Sequence, residues 1–215
     1  MIEAIFRMYA MRWRFFLDLT WEHIQISFVA IALAAAIGLA LGIWISEYRK
    51  WTPWVMGVTN FVYTIPSIAL FGFLIPWSGI GNTTAILALT IYALLPMVRN
   101  TYTGIVSIDQ EIIEAAKGMG STSAQIVWKI KLPLAFPVIL SGLRNMVVMT
   151  IALAGIAAFI GAGGLGVAIY RGITTNNSVM TVAGSLLIAL LALLTDFGLG
   201  KYESHIKRKR RMIEN

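Results

Sequence analysis

Apolar residues along this chain fall in long uninterrupted blocks rather than in the alternation of half-buried strands. A helix needs about 20 apolar residues to cross the hydrocarbon core of a bilayer. Without barrel patterning, no other backbone geometry satisfies its own hydrogen bonds in lipid. The first such block is Ile24 to Ile45, and no Asp, Glu, Lys or Arg stands between Lys50 and Arg99. That second stretch has room for two crossings and a turn, the turn falling at Pro76-Trp77-Ser78-Gly79-Ile80-Gly81-Asn82. Spans two and three are expected over Pro53 to Ile75 and Thr83 to Ile105, kinked at Pro66 and Pro96. Leu134 to about Ile160, interrupted by Arg144, predicts span four, and Val179 to Leu199, with Asp196 near its end, predicts span five. The expected fold class is an all-α polytopic membrane protein with five transmembrane helices over residues 24–200. An interfacial N-terminal segment, 1–23, precedes them and a basic tail, 201–215, follows.

Composition agrees with this pattern: 58% of residues are hydrophobic and 13% charged, about half the charged fraction of a soluble domain. The net charge of +7 would suggest nucleic acid as a partner in a soluble protein, but its placement argues for membrane lipid. Lys207, Arg208, Lys209, Arg210 and Arg211 follow directly on an apolar segment, where anionic headgroups attract them. Short cytoplasmic loops carry excess Lys and Arg. Arg49, Lys50, Arg99, Lys117, Lys129, Lys131, Lys201 and the tail lie on one side of the predicted membrane. Only Arg7, Arg12, Arg14 and Arg171 lie on the other. The loop 106–132 and the C-terminus are therefore expected in the cytoplasm and the N-terminus outside. The chain has no cysteine, which excludes disulfides, thiolate metal sites and cysteine nucleophiles.

The loop 106–132 reads as two short helices. Ser107 with Gln110, and Thr122 with Gln125, each have the spacing at which a hydroxyl and an amide side chain cap a helix start reciprocally. Gly118 and Gly120 separate the two pieces. Ile112, Ile113, Ala116 and Met119 line one face of a helix too short to be stable alone, so a surface to pack on is expected.

Glu114-Ala115-Ala116, three residues, Gly120, nine residues, then Ile130-Lys131-Leu132-Pro133 resembles the EAA signature of ABC importer permeases at every position. The resemblance implies a type I ABC importer transmembrane domain (MetI-like) in a bacterial cytoplasmic membrane. It further implies that Glu114, Ala115, Ala116, Gly120, Ile130, Leu132 and Pro133 belong to a coupling helix docked on a separate ATPase subunit, which binds ATP and Mg. Two such permeases, copies or sisters, would form one path fed by an extracellular substrate-binding protein. Tyr63-Thr64-Ile65-Pro66-Ser67-Ile68-Ala69-Leu70-Phe71-Gly72 and Phe159-Ile160-Gly161-Ala162-Gly163-Gly164-Leu165-Gly166 are similar to the osmoprotectant branch. Its cargo is glycine betaine, carnitine, choline or proline betaine. Methionine importers share a similar glycine segment, so amino-acid cargo stays open.

Other signals lead elsewhere or nowhere. Gly161, Gly163 and Gly166 fit a dinucleotide fingerprint, but no βαβ unit surrounds them and Leu186 stands where an acidic ribose ligand is needed. No phosphate-cradling G-x-x-x-x-G-K-[ST] occurs, so the nucleotide chemistry is assigned to a partner and no cofactor to this chain. His23 and His205 have no companions at ligand spacing, and no carboxylate pair suits acid–base work. No catalytic residue is assigned. Arg144, Asn145, Asn60, Thr64, Tyr63 and Tyr92 are candidates for lining a translocation path, the tyrosines because aromatic faces attract quaternary ammonium. Arg144 has a second reading, a structural pairing with Asp196. An ion-gradient-driven transporter would call for inverted repeats and buried carboxylates, which five spans with Asp196 as the one acid in them do not offer.

Overall fold

In a computed structural model, the backbone of residues 1–214 and the side chains of residues 1–208 are described; the expected tail cations Lys209, Arg210 and Arg211 lie outside the described residues. The described residues form helices α1 (Ile2–Met11), α2 (Trp13–Glu47), α3 (Thr52–Thr64), α4 (Ser67–Ser78), α5 (Asn82–Val106), α6 (Gln110–Gly118), α7 (Ser123–Ile126), α8 (Leu132–Ala154), α9 (Gly166–Thr174) and α10 (Ser178–Glu214). Four stretches are each long and apolar enough to cross a membrane, namely α2, α5, Ser123–Ala154 and the described part of α10. The bent pair α3 and α4 makes a fifth.

The bent pair corrects one expectation. Span two is not a kinked helix but two helices meeting at 103°. A proline disfavours helical backbone at the residue before it. Ile65 and Pro66 are both extended, with ψ 128° and 135°, so two successive residues leave the helix rather than one hydrogen bond being lost. Pro76 and Pro96, by contrast, sit inside continuous helices.

Two sets of contacts fix the topology. Glu22 of α2 meets Asn82 at the start of α5, and Glu47 at the end of α2 meets Lys131 next to the end of α5. Helices α2 and α5 therefore run in the same direction, which requires the α3–α4 pair to carry the chain back across. Arg144 of α8 pairs with Asp196 of α10, and Gly155 at the far end of α8 faces Ile188, so α10 runs antiparallel to α8. The result is five crossings, so the start of α2 and the end of α10 lie on opposite sides.

Packing at the centre depends on small residues. Ala30, Ala34, Gly38 and Gly42 recur every fourth position along α2 and are buried, a stripe that lets helices in lipid approach closely. A Cβ at Gly38 would lie 2.7 Å from Met97 Cβ, and one at Gly42 would lie 2.5 Å from Thr101 Cβ. Helix α8 meets α5 the same way, with Gly142 against Asn100.

Segment ends differ from expectation in physically readable ways. Helix α2 begins at Trp13, so the segment 1–23 is divided between α1 and the first turns of α2. Tyr9 of α1 donates to the Ala183 carbonyl oxygen of α10 at 2.7 Å, which ties the N-terminal helix across the bundle. Helix α8 stops at Ala154, and a short 3-10 turn, Ala157–Ile160, replaces the last turns expected of span four. The start of the basic tail continues α10 without a break.

Candidate functional site: the α5–α8 loop, the α3–α4 corner and two charged latches

Asp109, rather than Ser107, caps α6: its carboxylate accepts the Glu111 N–H at 3.0 Å, while Ser107 Oγ donates to the Gly104 carbonyl oxygen. The second expected box is present, with Thr122 Oγ1 accepting from Gln125 N–H and Gln125 Oε1 accepting from Thr122 N–H. Between them Gly120 takes φ +82°. Its N–H donates to Lys117 O, and Ser121 N–H donates to Ala116 O. Those two bonds with a left-handed residue make a Schellman closure, a conformation that a side chain at 120 would strain. The two signature alanines point different ways: Ala116 is buried under the helix and Ala115 is exposed. Glu114 is exposed and makes no ion pair among the described residues, Lys117 included.

Ile130, Leu132 and Pro133 occupy the junction into α8. Residues Val127–Lys131 form a π turn in which Leu132 N–H reaches back to Val127 O. Pro133 brings no N–H to the ladder, and a widened turn of this kind inside a helix often marks a functional site. Among the exposed charged and polar side chains of the loop stand three large apolar ones, Met119 80%, Trp128 67% and Ile112 44% accessible. On its inner side Lys131 Nζ lies 2.5 Å from Glu47 Oε1, over a cavity of about 220 Å³ between the loop and the ends of α2 and α5.

The candidate path residues divide. Tyr63, Thr64 and Tyr92 gather at the corner between α3 and α4, lining a cavity of about 300 Å³ with Met149 and Leu153. The tyrosine rings meet edge to face with centroids 5.9 Å apart. Tyr92 donates its hydroxyl to the Ile65 carbonyl oxygen, which the broken helix would leave unpaired at membrane depth. Asn60 lies one turn before Thr64 and accepts from Arg99 Nη2 at 2.7 Å. Asn145 is exposed, one turn before Met149 on the same strip of α8. Arg144 does not join them. Its Nε and Nη2 donate to the Asp196 carboxylate at 2.6 and 2.8 Å, and its Nη1 lies 3.3 Å from Glu203 Oε2. Glu203 in turn accepts from Lys207 at 2.6 Å. The pairing reading of Arg144 is the one this geometry realises.

One cluster escaped the sequence. At the Glu22 end, Gly164 N–H donates to Glu22 Oε2 at 3.0 Å, Asn82 Nδ2 donates to Glu22 Oε1 at 3.0 Å, and Gly163 N–H donates to Asn82 Oδ1 at 2.8 Å. Beneath it, fully buried His23 bonds through Nε2 to Ile151 O at 3.0 Å. Gly161 and Gly164 take φ +73° and +85°, so the glycine run shapes a loop that offers one N–H to the Glu22 carboxylate and one to the Asn82 amide oxygen. The run itself was visible in the sequence; nothing local tied it to Glu22. Among the described residues no three His, Cys, Asp or Glu gather as metal ligands.

Known proteins are similar to this chain over most of its length. The glycine betaine/carnitine/choline transport system permease protein OpuCD of Bacillus subtilis (strain 168) is 42% identical over 194 residues, covering 88% of this chain and 85% of that protein. The choline transport system permease protein OpuBD of the same organism is 38% identical over 213 residues, covering 97% and 94%. Among solved structures, an inward-facing form of the MetNI methionine ABC transporter superposes with a TM-score of 0.81 at 25% identity, covering 92% of this chain and 98% of that one. Residues 10–208 match the family described as binding-protein-dependent transport system inner membrane component, and the chain belongs to that family of ABC importer permeases.

Proposed function

We propose that this permease carries a quaternary-ammonium osmoprotectant such as glycine betaine, carnitine or choline. In this reading a separate ATPase, holding ATP and Mg, docks on the loop between α5 and α8. The observation that supports the docking is exposure along that loop: Met119, Trp128 and Ile112 stand in the open, and Glu114 is exposed without an ion pair among the described residues, as side chains that expect cover do. Excess cations at the Lys131 end assign it to the cytoplasm. The Glu22 end then faces outward, toward a binding protein that delivers the cargo. The corner cavity lined by Tyr63, Thr64 and Tyr92 is part of the path, with Asn60 and Asn145 continuing it along α3 and α8. An aromatic pair attracts a quaternary cation without hydrogen-bond donors. Helix α3 has no buried residue, so a second permease, a copy or a sister, completes the path.

The reading is tested by reconstituting the chain in vesicles with an ATPase subunit and an external binding protein, and measuring uptake of radiolabelled betaine. Uptake that requires ATP and both partners is the expected result. Uptake driven by an imposed ion gradient without ATP would overturn the coupling, and ATP-driven uptake of methionine with none of betaine would overturn the cargo.

A further inference from the structure

We propose that the groove between α8 and α10 at the Lys131 end holds an anionic phospholipid, its phosphate on Lys201 and Arg208 and its acyl chain on Leu193 and Phe197. The argument begins with one face of α10. Leu186, Leu190, Leu193 and Phe197 are 49 to 66% exposed, and the same strip continues as Lys201, His205 and Arg208. An apolar strip that turns cationic at this point matches the boundary between acyl chains and headgroups. Counted from Ser178 at 1.5 Å per residue, the hydrocarbon core of about 30 Å ends close to Gly198.

A groove of about 790 Å³ opens at that boundary, lined by both the apolar and the cationic residues. Gly200 lets the Arg144 guanidinium lie against α10 at its wall, since a Cβ there would lie 3.0 Å from the guanidinium carbon. Charge decides the occupant. Asp196 is taken by Arg144, and Glu203 by Arg144 and Lys207, so the carboxylates here are already neutralised. Arg208 has no acidic partner among the described residues. Lys201 has none either, its ammonium resting 4.4 Å from the Phe197 ring centroid. Two free cations facing a groove at headgroup depth call for a phosphodiester. A soluble phosphate would leave Leu193 and Phe197 uncovered, whereas a lipid covers them with its chain. The inference is independent of the cargo and of the ATPase.

The test is native mass spectrometry of the full chain released from micelles carrying phosphatidylglycerol and phosphatidylcholine. It is paired with thermal melting in either lipid, for the wild type and for Lys201→Gln with Arg208→Gln. The wild type should retain phosphatidylglycerol in preference and melt higher in it. The double variant should melt as the wild type does in phosphatidylcholine, yet bind phosphatidylglycerol roughly thirtyfold more weakly, at about a factor of five for each cation. Lys201→Arg should restore part of the preference. Equal retention of the two lipids by the wild type, or an undiminished preference in the double variant, overturns the site. So does displacement by glycerol phosphate alone, which would make it a site for soluble anions, and so does a shift from dimer to monomer in the variant with no change in bound lipid, which would make it a contact between copies.

Discussion

The two ends of the bundle are built on opposite plans. At the Glu22 end, one carboxylate, one amide side chain and two backbone N–H groups close on each other, joining residues 60 to 142 positions apart in the chain. At the Lys131 end the bonds that shape the loop's turns and caps are local, between residues two to five apart, the one long-range pair being Lys131 with Glu47 at its edge, and Met119, Trp128 and Ile112 stay open. One end satisfies itself; the other is shaped in advance and left to be covered. Long-range polar closure suits a wall that must keep its form, and local shaping suits the lever on a separate ATPase proposed for the loop.

That contrast is sharpest where a glycine is replaced at each end. At the loop, Gly120→Val forces a β-branched residue into left-handed backbone at about 1–3 kcal/mol, and Glu114→Trp puts bulk on the exposed side. Either should lower ATP-driven uptake by roughly tenfold or more, the effect of about 1.4 kcal/mol at an interface, while ATP hydrolysis by the partner and membrane insertion persist. Undiminished uptake in both variants would mean the loop is not the lever. At the other end, Gly166→Ala places a Cβ 2.1 Å from the Gly155 carbonyl oxygen. Backbone there has nowhere to move, so thermal melting should drop by an amount equivalent to about 1–3 kcal/mol. Gly163→Ala makes the tighter contact on paper, 1.9 Å, but with the Glu22 carboxylate, the far end of a side chain that can swing aside, and it should melt closer to wild type. A Gly166→Ala variant that melts with the wild type would refute the rigid-wall account. The smallest effect is expected at the corner, where Tyr92→Phe removes the hydroxyl bonded to Ile65 O and should cost about 1 kcal/mol in melting.

Local physics explains what the sequence disclosed. The crossings are legible because lipid demands long apolar runs, and the Thr122–Gln125 box because its partners are three residues apart. The box at Ser107 is not formed because Asp109, one residue before Gln110, offers a carboxylate closer to the helix start and takes the cap. Arg144 and Asp196 are 52 residues apart, yet their pairing stood as one of two readings of Arg144, since two opposite charges in apolar spans have few other partners. The latch at Glu22 gave no such hint, being a carboxylate near a predicted span end among several. The corner at Pro66 was read as a kink because proline alone does not announce that the residue before it will also leave the helix.

That corner also bears on how the chain enters the membrane. Helices α3 and α4 have 13 and 12 residues, about 20 and 18 Å at helical rise, and neither alone spans a core of about 30 Å. During biogenesis the insertion machinery therefore meets two half-crossings with polar backbone exposed between them, and must release both into lipid as one unit. The Ile65 carbonyl oxygen finds its partner only when α5 brings the Tyr92 hydroxyl to it, so the second crossing is expected to settle in lipid together with the third.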